Sequence, residues 1–435
     1  MDPNVMGITG LLGSVVLIFL GIPVPVAMFV LGFFGTLLLK GWMPASMMVE
    51  RAVWSGLADF NWSVVPLFIL LSIVVSECGI GENIFRAMQR WIGHVHGGMA
   101  AATSAACAFL GCITGVGPAA IALMAKVAYP EMRKVGYDGP LSLAACAAPA
   151  TIATMIPPST ALVIYAIITE QSVGQVLLGG FIPGFLSMGI FMVMLLIRGR
   201  LQPRLMPASP VATWRDRLID LRYLIPPLIM LLTIVGGLYF GIFTATEAAG
   251  AAALIAFIIV FAMRRLNMAA FKASIYETLR FSVLILLILL TIRMFFNVFL
   301  NLTWVTVNIA EFAMGMPSPW LTMAAIFVIC FILGMFVGSP LAYVTLPLFT
   351  PVVAELGFEP IWFIIVMTKL TEVGFLTPPI APGLFIAQGI IREVSMEKAY
   401  NAAWWFIICD MLFLVLIIFV PQIVMFLPNT MRATG

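Results

Sequence analysis

The stretch Glu372-Val373-Gly374-Phe375-Leu376-Thr377-Pro378-Pro379 decides the fold. It sits inside an apolar run from 361 to 391, longer than one helix needs to cross about 30 Å of hydrocarbon. Two consecutive prolines remove two backbone donors and press their rings against preceding carbonyls, so a helix has to break there. The same chemistry stands 221 positions earlier, at Ile156-Pro157-Pro158-Ser159 in the apolar run 140–168. Other landmarks keep that offset: Pro130 with Pro351, and Gly136-Tyr137-Asp138 with Gly357-Phe358-Glu359. With small shifts, Pro118 matches Pro340 and Ile168-Thr169-Glu170 matches Ile391-Arg392-Glu393. One spacing held across several landmarks marks an internal repeat.

The setting of this repeat is a membrane. The chain has 435 residues, 63% hydrophobic and only 9% charged, against roughly 25% charged in a soluble domain. So few charges cannot cover a soluble surface, which excludes a cytosolic enzyme, a disordered chain and a nucleic-acid binder. Further spanning-length stretches run near 5–21, 24–40, 57–77, 176–197, 223–241, 245–263, 281–301 and 400–427. Two more, 97–128 and 319–356, are too long for one crossing. Each is interrupted in its middle, at Gly115-Val116-Gly117-Pro118 and at Gly338-Ser339-Pro340.

Charge placement orients the halves. The arginine-rich stretch 198–222 and the basic stretch 264–280 read as cytoplasmic. Loops 82–96 and 126–138 are also basic, so the run between them dips in and returns. Loops 302–318 and 355–360 hold no Lys or Arg, so the second hairpin enters from the other side. The charge run 198–222 reads as a solvated loop. The fold expected is an all-α polytopic membrane protein with inverted repeats, two re-entrant helical hairpins and two broken helices, the design of secondary transporters. Its divisions are N-terminal scaffold 1–80, first transport repeat 81–175, scaffold 176–301, second transport repeat 302–399 and C-terminal helix 400–435.

Breaks at membrane depth expose backbone groups that must find partners. The carbonyls of Gly374 and Phe375, and of Ala153 and Thr154, are expected to lose their helical donors. A cation such as Na⁺ could use them, with hydroxyls of Thr114, Thr151, Thr154, Ser339 and Thr377. The helix after each hairpin tip points its N-terminus at the same region, which suits a carboxylate. Pro118, Pro158 and Pro379 mark these helix starts and breaks, and are candidate substrate neighbours. Lys369 and Glu372, three residues apart, either pair on one helix face or present Lys369 to an anionic substrate. Arg293 is a second intramembrane cation and a weaker substrate candidate. Glu247 reads as a helix-start residue, and Asp410 is given no role. Neither a GxxxxGK[ST] phosphate loop nor an HExxH or GxSxG motif occurs, so an enzyme is not expected.

Five segments carry a resemblance that covers essentially the whole chain. They are Gly111-Cys112-Ile113-Thr114-Gly115-Val116-Gly117-Pro118-Ala119, Ile156-Pro157-Pro158-Ser159, Ile242-Phe243-Thr244-Ala245-Thr246-Glu247-Ala248-Ala249, Gly334-Met335-Phe336, and the opening stretch. In this order the sequence resembles the large membrane subunit of tripartite ATP-independent periplasmic (TRAP) transporters. The resemblance implies a multi-pass protein of the bacterial inner membrane that imports a small organic acid, driven by a sodium gradient through an elevator mechanism. It implies two partners, a small four-helix membrane subunit and a periplasmic substrate-binding protein. It places Na⁺ at Thr114, Gly115, Val116 and Gly117 with Thr151, Ala153 and Thr154, and at Gly338, Ser339 and Pro340 with Gly374, Phe375 and Thr377. The chain departs from the usual pattern at Cys112, Val116, Ala150, Ala153, Gly338 and Lys369. An uncoupled pore or scaffold subunit and a stand-alone anion symporter are the competing expectations.

Overall fold

A computed structural model describes residues 2–76, 79–264, 268–337 and 342–432. The N-terminal part comprises α1 (Pro3–Phe19), α2 (Val24–Lys40), α3 (Trp42–Leu57), α4 (Val64–Ser76) and α5 (Ile80–Ile92). The first hairpin follows as α6 (Gly98–Thr114) and α7 (Gly117–Val135), and the first broken helix as α8 (Gly139–Ala147) and α9 (Thr160–Ile168). Then come α10 (Val173–Leu201), α11 (Trp214–Asp220), α12 (Ile225–Leu231), α13 (Gly237–Tyr239), α14 (Ala245–Ala262), α15 (Met268–Arg293) and α16 (Val305–Met314). The second hairpin is α17 (Pro319–Val337) and α18 (Ala342–Glu355), and the second broken helix α19 (Pro360–Leu376) and α20 (Pro382–Ile391). The chain ends in α21 (Met396–Phe419) and α22 (Gln422–Thr430). Among the described residues, six helical segments are long and apolar enough to cross a membrane, Val173–Leu201 and Met396–Phe419 among them.

Burial separates an inner from an outer set of helices. Almost all of α6 and α19 is buried. The outer helices α1, α2, α14 and α15 expose Leu12, Val16, Leu38, Leu254, Phe261 and Leu284, as lipid-facing surfaces do. Close packing of the inner set depends on small side chains, as between membrane helices generally. The run Ala100-Ala101-Ala102 of α6 is wholly buried.

The repeat is visible at the level of individual hydrogen bonds. The first hairpin ends where Gly136 N–H donates to the Arg133 carbonyl and Tyr137 N–H to that of Met132, at 3.0 and 3.1 Å. The second ends where Gly357 donates to Ala354 and Phe358 to Val353, at the same two distances. This is one helix stop used twice. It needs a left-handed residue, supplied by Gly136 at φ 94 and Gly357 at φ 83. Each hairpin also meets its broken helix at a matched point. A Cβ on Gly111 would lie 2.9 Å from Ala153 Cα, and one on Gly374 would lie 2.9 Å from the Gly334 carbonyl carbon. The Pro157-Pro158 and Pro378-Pro379 bonds are both cis.

The halves differ where their sequences differ. The first broken helix passes into a 3-10 turn, Pro149–Thr154, because Pro149 cannot continue the α pattern. The corresponding position in the second half is Leu370, and α19 stays α-helical to Leu376. Four expected loops are corrected, the first being 126–138, most of which is the end of α7. Most of 82–96 is the amphipathic α5, whose Ile84, Phe85 and Met88 are buried and whose Glu82 and Arg86 are exposed. Much of 302–318 is α16. The charge run 198–222 is partly folded: α11 docks on α5 through Arg90–Asp220 at 2.9 Å, and Trp91 Nε1–H donates to the Arg217 carbonyl. The expected helix start at Glu247 is present, with Thr244 and Glu247 capping one another.

Candidate functional site

Both repeats wall one small cavity. The first contributes Gly117 and Pro118 just past the hairpin tip, Thr151 and Thr154 of the 3-10 turn, and Ala161 and Tyr165 of α9. The second contributes Thr368, Thr371, Glu372 and Phe375 of α19. The cavity is ≈ 20 Å³, room for one water-sized occupant.

Its chemistry follows from where the hydroxyl protons go. Thr151 donates to the Ala148 carbonyl at 2.8 Å, Thr154 to Thr151 at 2.7 Å, Thr368 to Ile364 at 2.7 Å and Thr371 to Thr368 at 2.7 Å. A threonine has one hydroxyl proton: those of Thr151, Thr368 and Thr371 are directed back to their own helices, whereas that of Thr154 is shared between the Thr151 carbonyl and Glu372 Oε1. The oxygens therefore offer lone pairs to the cavity. Glu372 adds a carboxylate, whose Oε1 accepts from the Thr154 hydroxyl at 2.5 Å. Four hydroxyl oxygens and a carboxylate form a wall of acceptors, which suits a monovalent cation.

Lys369 lies behind this wall and is fully buried. Its Nζ is 2.6 Å from Asp410 Oδ1 and 3.1 Å from Glu372 Oε2. The rings of Phe191 and Phe413 lie 5.8 and 5.6 Å from it. The paired arrangement on one helix face is therefore present, with Asp410 of α21 as a third member. Lys369 does not line the cavity; its charge is directed to two carboxylates.

The expected ion residues are distributed unevenly. Gly117, Thr151, Thr154 and Phe375 meet at the cavity, joined by Pro118 and Glu372 from the expected substrate set. Four carbonyls at the first hairpin tip and the two breaks have donors, and two of them, Thr154 and Gly374, are among those expected to lose their helical donors. The Thr114 carbonyl accepts from Ser72 Oγ at 2.7 Å, and the Gly115 carbonyl from Thr160 Oγ1 at 3.4 Å. The Thr154 carbonyl accepts from Ser159 Oγ, and the Gly374 carbonyl from Thr377 N–H at 3.1 Å. The hydroxyls of Thr114 and Thr377 donate to Leu110 and Val373. Ala153 packs on Gly111, and Gly115 lies against Pro158. Val116 caps α7 in an extended conformation. The Pro379 carbonyl accepts from the Tyr400 hydroxyl at 3.0 Å. Gly338, Ser339 and Pro340 lie outside the described residues. Thr368, Thr371 and Asp410 were not singled out by the sequence.

Arg293 belongs to a second, larger cavity of ≈ 680 Å³. Helix α9 separates the two: Ala161 and Tyr165 wall the small cavity, Ala166 and Ile167 the large one.

Comparison with known proteins agrees with this architecture. The chain is 28% identical over 368 residues to the C4-dicarboxylate TRAP transporter large permease protein DctM of Pseudomonas aeruginosa, covering 84% of this chain and 85% of that one. It is 28% identical over 414 residues to the ectoine TRAP transporter large permease protein TeaC of Halomonas elongata, covering 94% and 96%. The crystal structure of the Alcanivorax borkumensis YdaH transporter shares the fold, with a TM-score of 0.59 at 15% identity over 86% of this chain and 88% of that one. Residues 11–423 match the family described as Tripartite ATP-independent periplasmic transporter, DctM component. With that match over nearly its whole length, the chain belongs to the DctM component family of TRAP transporters and is a multi-pass permease of the bacterial inner membrane.

Proposed function

We propose that the chain imports a small organic acid together with sodium, working with a small four-helix membrane subunit and a periplasmic substrate-binding protein. The observation that carries this reading is the acceptor-lined cavity shared by the two repeats. A bound Na⁺ would draw Thr151 and Thr154 of one repeat toward Thr368, Thr371 and Glu372 of the other. Such an ion would stabilise the closed packing of both hairpins and lower the cost of carrying Glu372 through the bilayer. Sodium would bind first and the organic acid second, near the helix start at Pro118. In the elevator form of the mechanism, residues 81–175 and 302–399 slide against the scaffold formed by 1–80 and 176–301. The contrast between the buried α6 and α19 and the lipid-facing outer helices supports that division. The second ion site, at 338–340 with Gly374, Phe375 and Thr377, is part of the same proposal.

The test is uptake by proteoliposomes holding the chain with both partners. Uptake should require an inward sodium gradient. Thr151→Ala and Thr371→Val each remove one oxygen from the ion. At about 1.5–3 kcal/mol for a hydrogen-bonding partner of a charge, each should raise the sodium concentration for half-maximal uptake roughly ten-fold or more. Uptake that persists without sodium would instead identify an uncoupled pore.

A further inference from the structure

The larger cavity lies on the face away from the cytoplasmic arginines. Its wall includes the start of α10, the helix whose other end enters the arginine-rich stretch 198–222. It also includes Thr244 at the start of α14. By the charge rule for loops this is the outer side. The cavity therefore stands between the outside and the small cavity, one turn of α9 away.

Its charges are few and specific. Arg293 stacks its guanidinium 5.1 Å from the Trp62 ring and is 26% exposed. Among the described residues its only ionic partner is Asp59 Oδ2, at 3.9 Å, beyond hydrogen-bond reach. The other carboxyl oxygen of Asp59 accepts from Asn61 N–H at 3.0 Å. Arg293 thus presents a planar fork of donors to the cavity, the geometry that matches a carboxylate. The start of α10 at Ser172, Val173 and Gly174 lies in the same wall and adds a partial positive charge. The remaining charge is Glu170, whose carboxylate has among the described residues one hydrogen bond, a long one of 3.4 Å from Asn297 Nδ2.

We propose that this cavity is an outer substrate site for a zwitterion, with the carboxylate on Arg293 and a cationic group on Glu170. The inference rests on the transporter reading and adds the substrate's charge type. One guanidinium faces two carboxylates here, so the wall is already negative by one charge. A dianion would set its second carboxylate against Glu170 or Asp59. A zwitterion adds no net charge and pairs at both ends. The inner site repeats the balance: Lys369 is shared by Glu372 and Asp410 and leaves no free cation for a second carboxylate.

The test uses three four-carbon probes that differ in charge: γ-aminobutyrate, butyrate and succinate. Each is titrated by calorimetry against the full chain in nanodiscs. The wild type should bind γ-aminobutyrate at least ten-fold more tightly than succinate. Arg293→Gln should weaken γ-aminobutyrate at least ten-fold. Glu170→Gln should narrow the preference over succinate to less than three-fold, in a variant with unchanged elution and melting temperature. Because Glu170 is exposed, that variant keeps the fold in question intact. Tighter binding of succinate, an unchanged ranking in Glu170→Gln, or no binding of any probe at 50 mM would each overturn the proposal. Binding at equilibrium needs no sodium gradient, so loss of coupled uptake with this ranking intact would count against the transporter reading alone.

Discussion

Gly115→Ala should destabilise the protein by about 2–5 kcal/mol, through two separable costs. Gly115 has φ +56, and an L-residue in that region costs roughly 1–2 kcal/mol. A Cβ there would also fall on the carbonyl oxygen of Pro158, and overpacking against a fixed neighbour costs roughly 1–3 kcal/mol more. The contact matters because it presses the first hairpin tip onto the first broken helix, beside Gly117 and Thr151 of the cavity. Gly21 separates the two costs. Its φ is +85 but nothing lies within 4 Å of the Cβ position, so Gly21→Ala bears only the conformational one. Thermal unfolding of the purified variants should show a clearly larger drop for Gly115→Ala than for Gly21→Ala. Equal drops would show that the tip does not bear on Pro158.

The second large effect is expected at Lys369. Lys369→Met leaves Glu372 and Asp410 buried with no counter-charge, and breaking a buried pair in this way costs roughly 3–5 kcal/mol. The loss should be recovered in large part by adding Glu372→Gln and Asp410→Asn, because neutral side chains need no ammonium. A double-mutant cycle on Lys369→Met and Asp410→Asn should therefore show strong coupling, with the double variant more stable than the sum of the singles. Near-additive losses would mean that Lys369 and Asp410 are not partners. The group ties α19 to α21, and through Glu372 to Thr154, so its rupture should also weaken the cavity.

Much of this was readable from local chemistry. Two Pro-Pro pairs at one offset, with matched Gly136 and Gly357, disclosed the repeat because backbone breaks and helix stops are set by a few adjacent residues. The pairing of Lys369 with Glu372 was readable because residues three apart share a helix face. Asp410 was not, since its contact depends on how α21 packs against α19. Thr368 and Thr371 were hidden for the same reason: a threonine in an apolar helix declares itself only when its neighbours in space are known. The carbonyl of Thr154 was expected to lose its helical donor, yet Ser159 from beyond the break satisfies it, as Ser72 from a distant helix does that of Thr114. Pro149 was legible as a proline, but its effect, a 3-10 turn that aims Thr151 and Thr154 at the second repeat, needed the assembled fold.

The central claim is that one cation is held between the two repeats. Binding of radioactive sodium to the purified chain in nanodiscs tests it most directly, with Thr154→Val from the first repeat and Thr371→Val from the second. Saturable binding in the wild type, weakened at least ten-fold by either change, is the result expected of a shared site. Binding that neither substitution alters would contradict it.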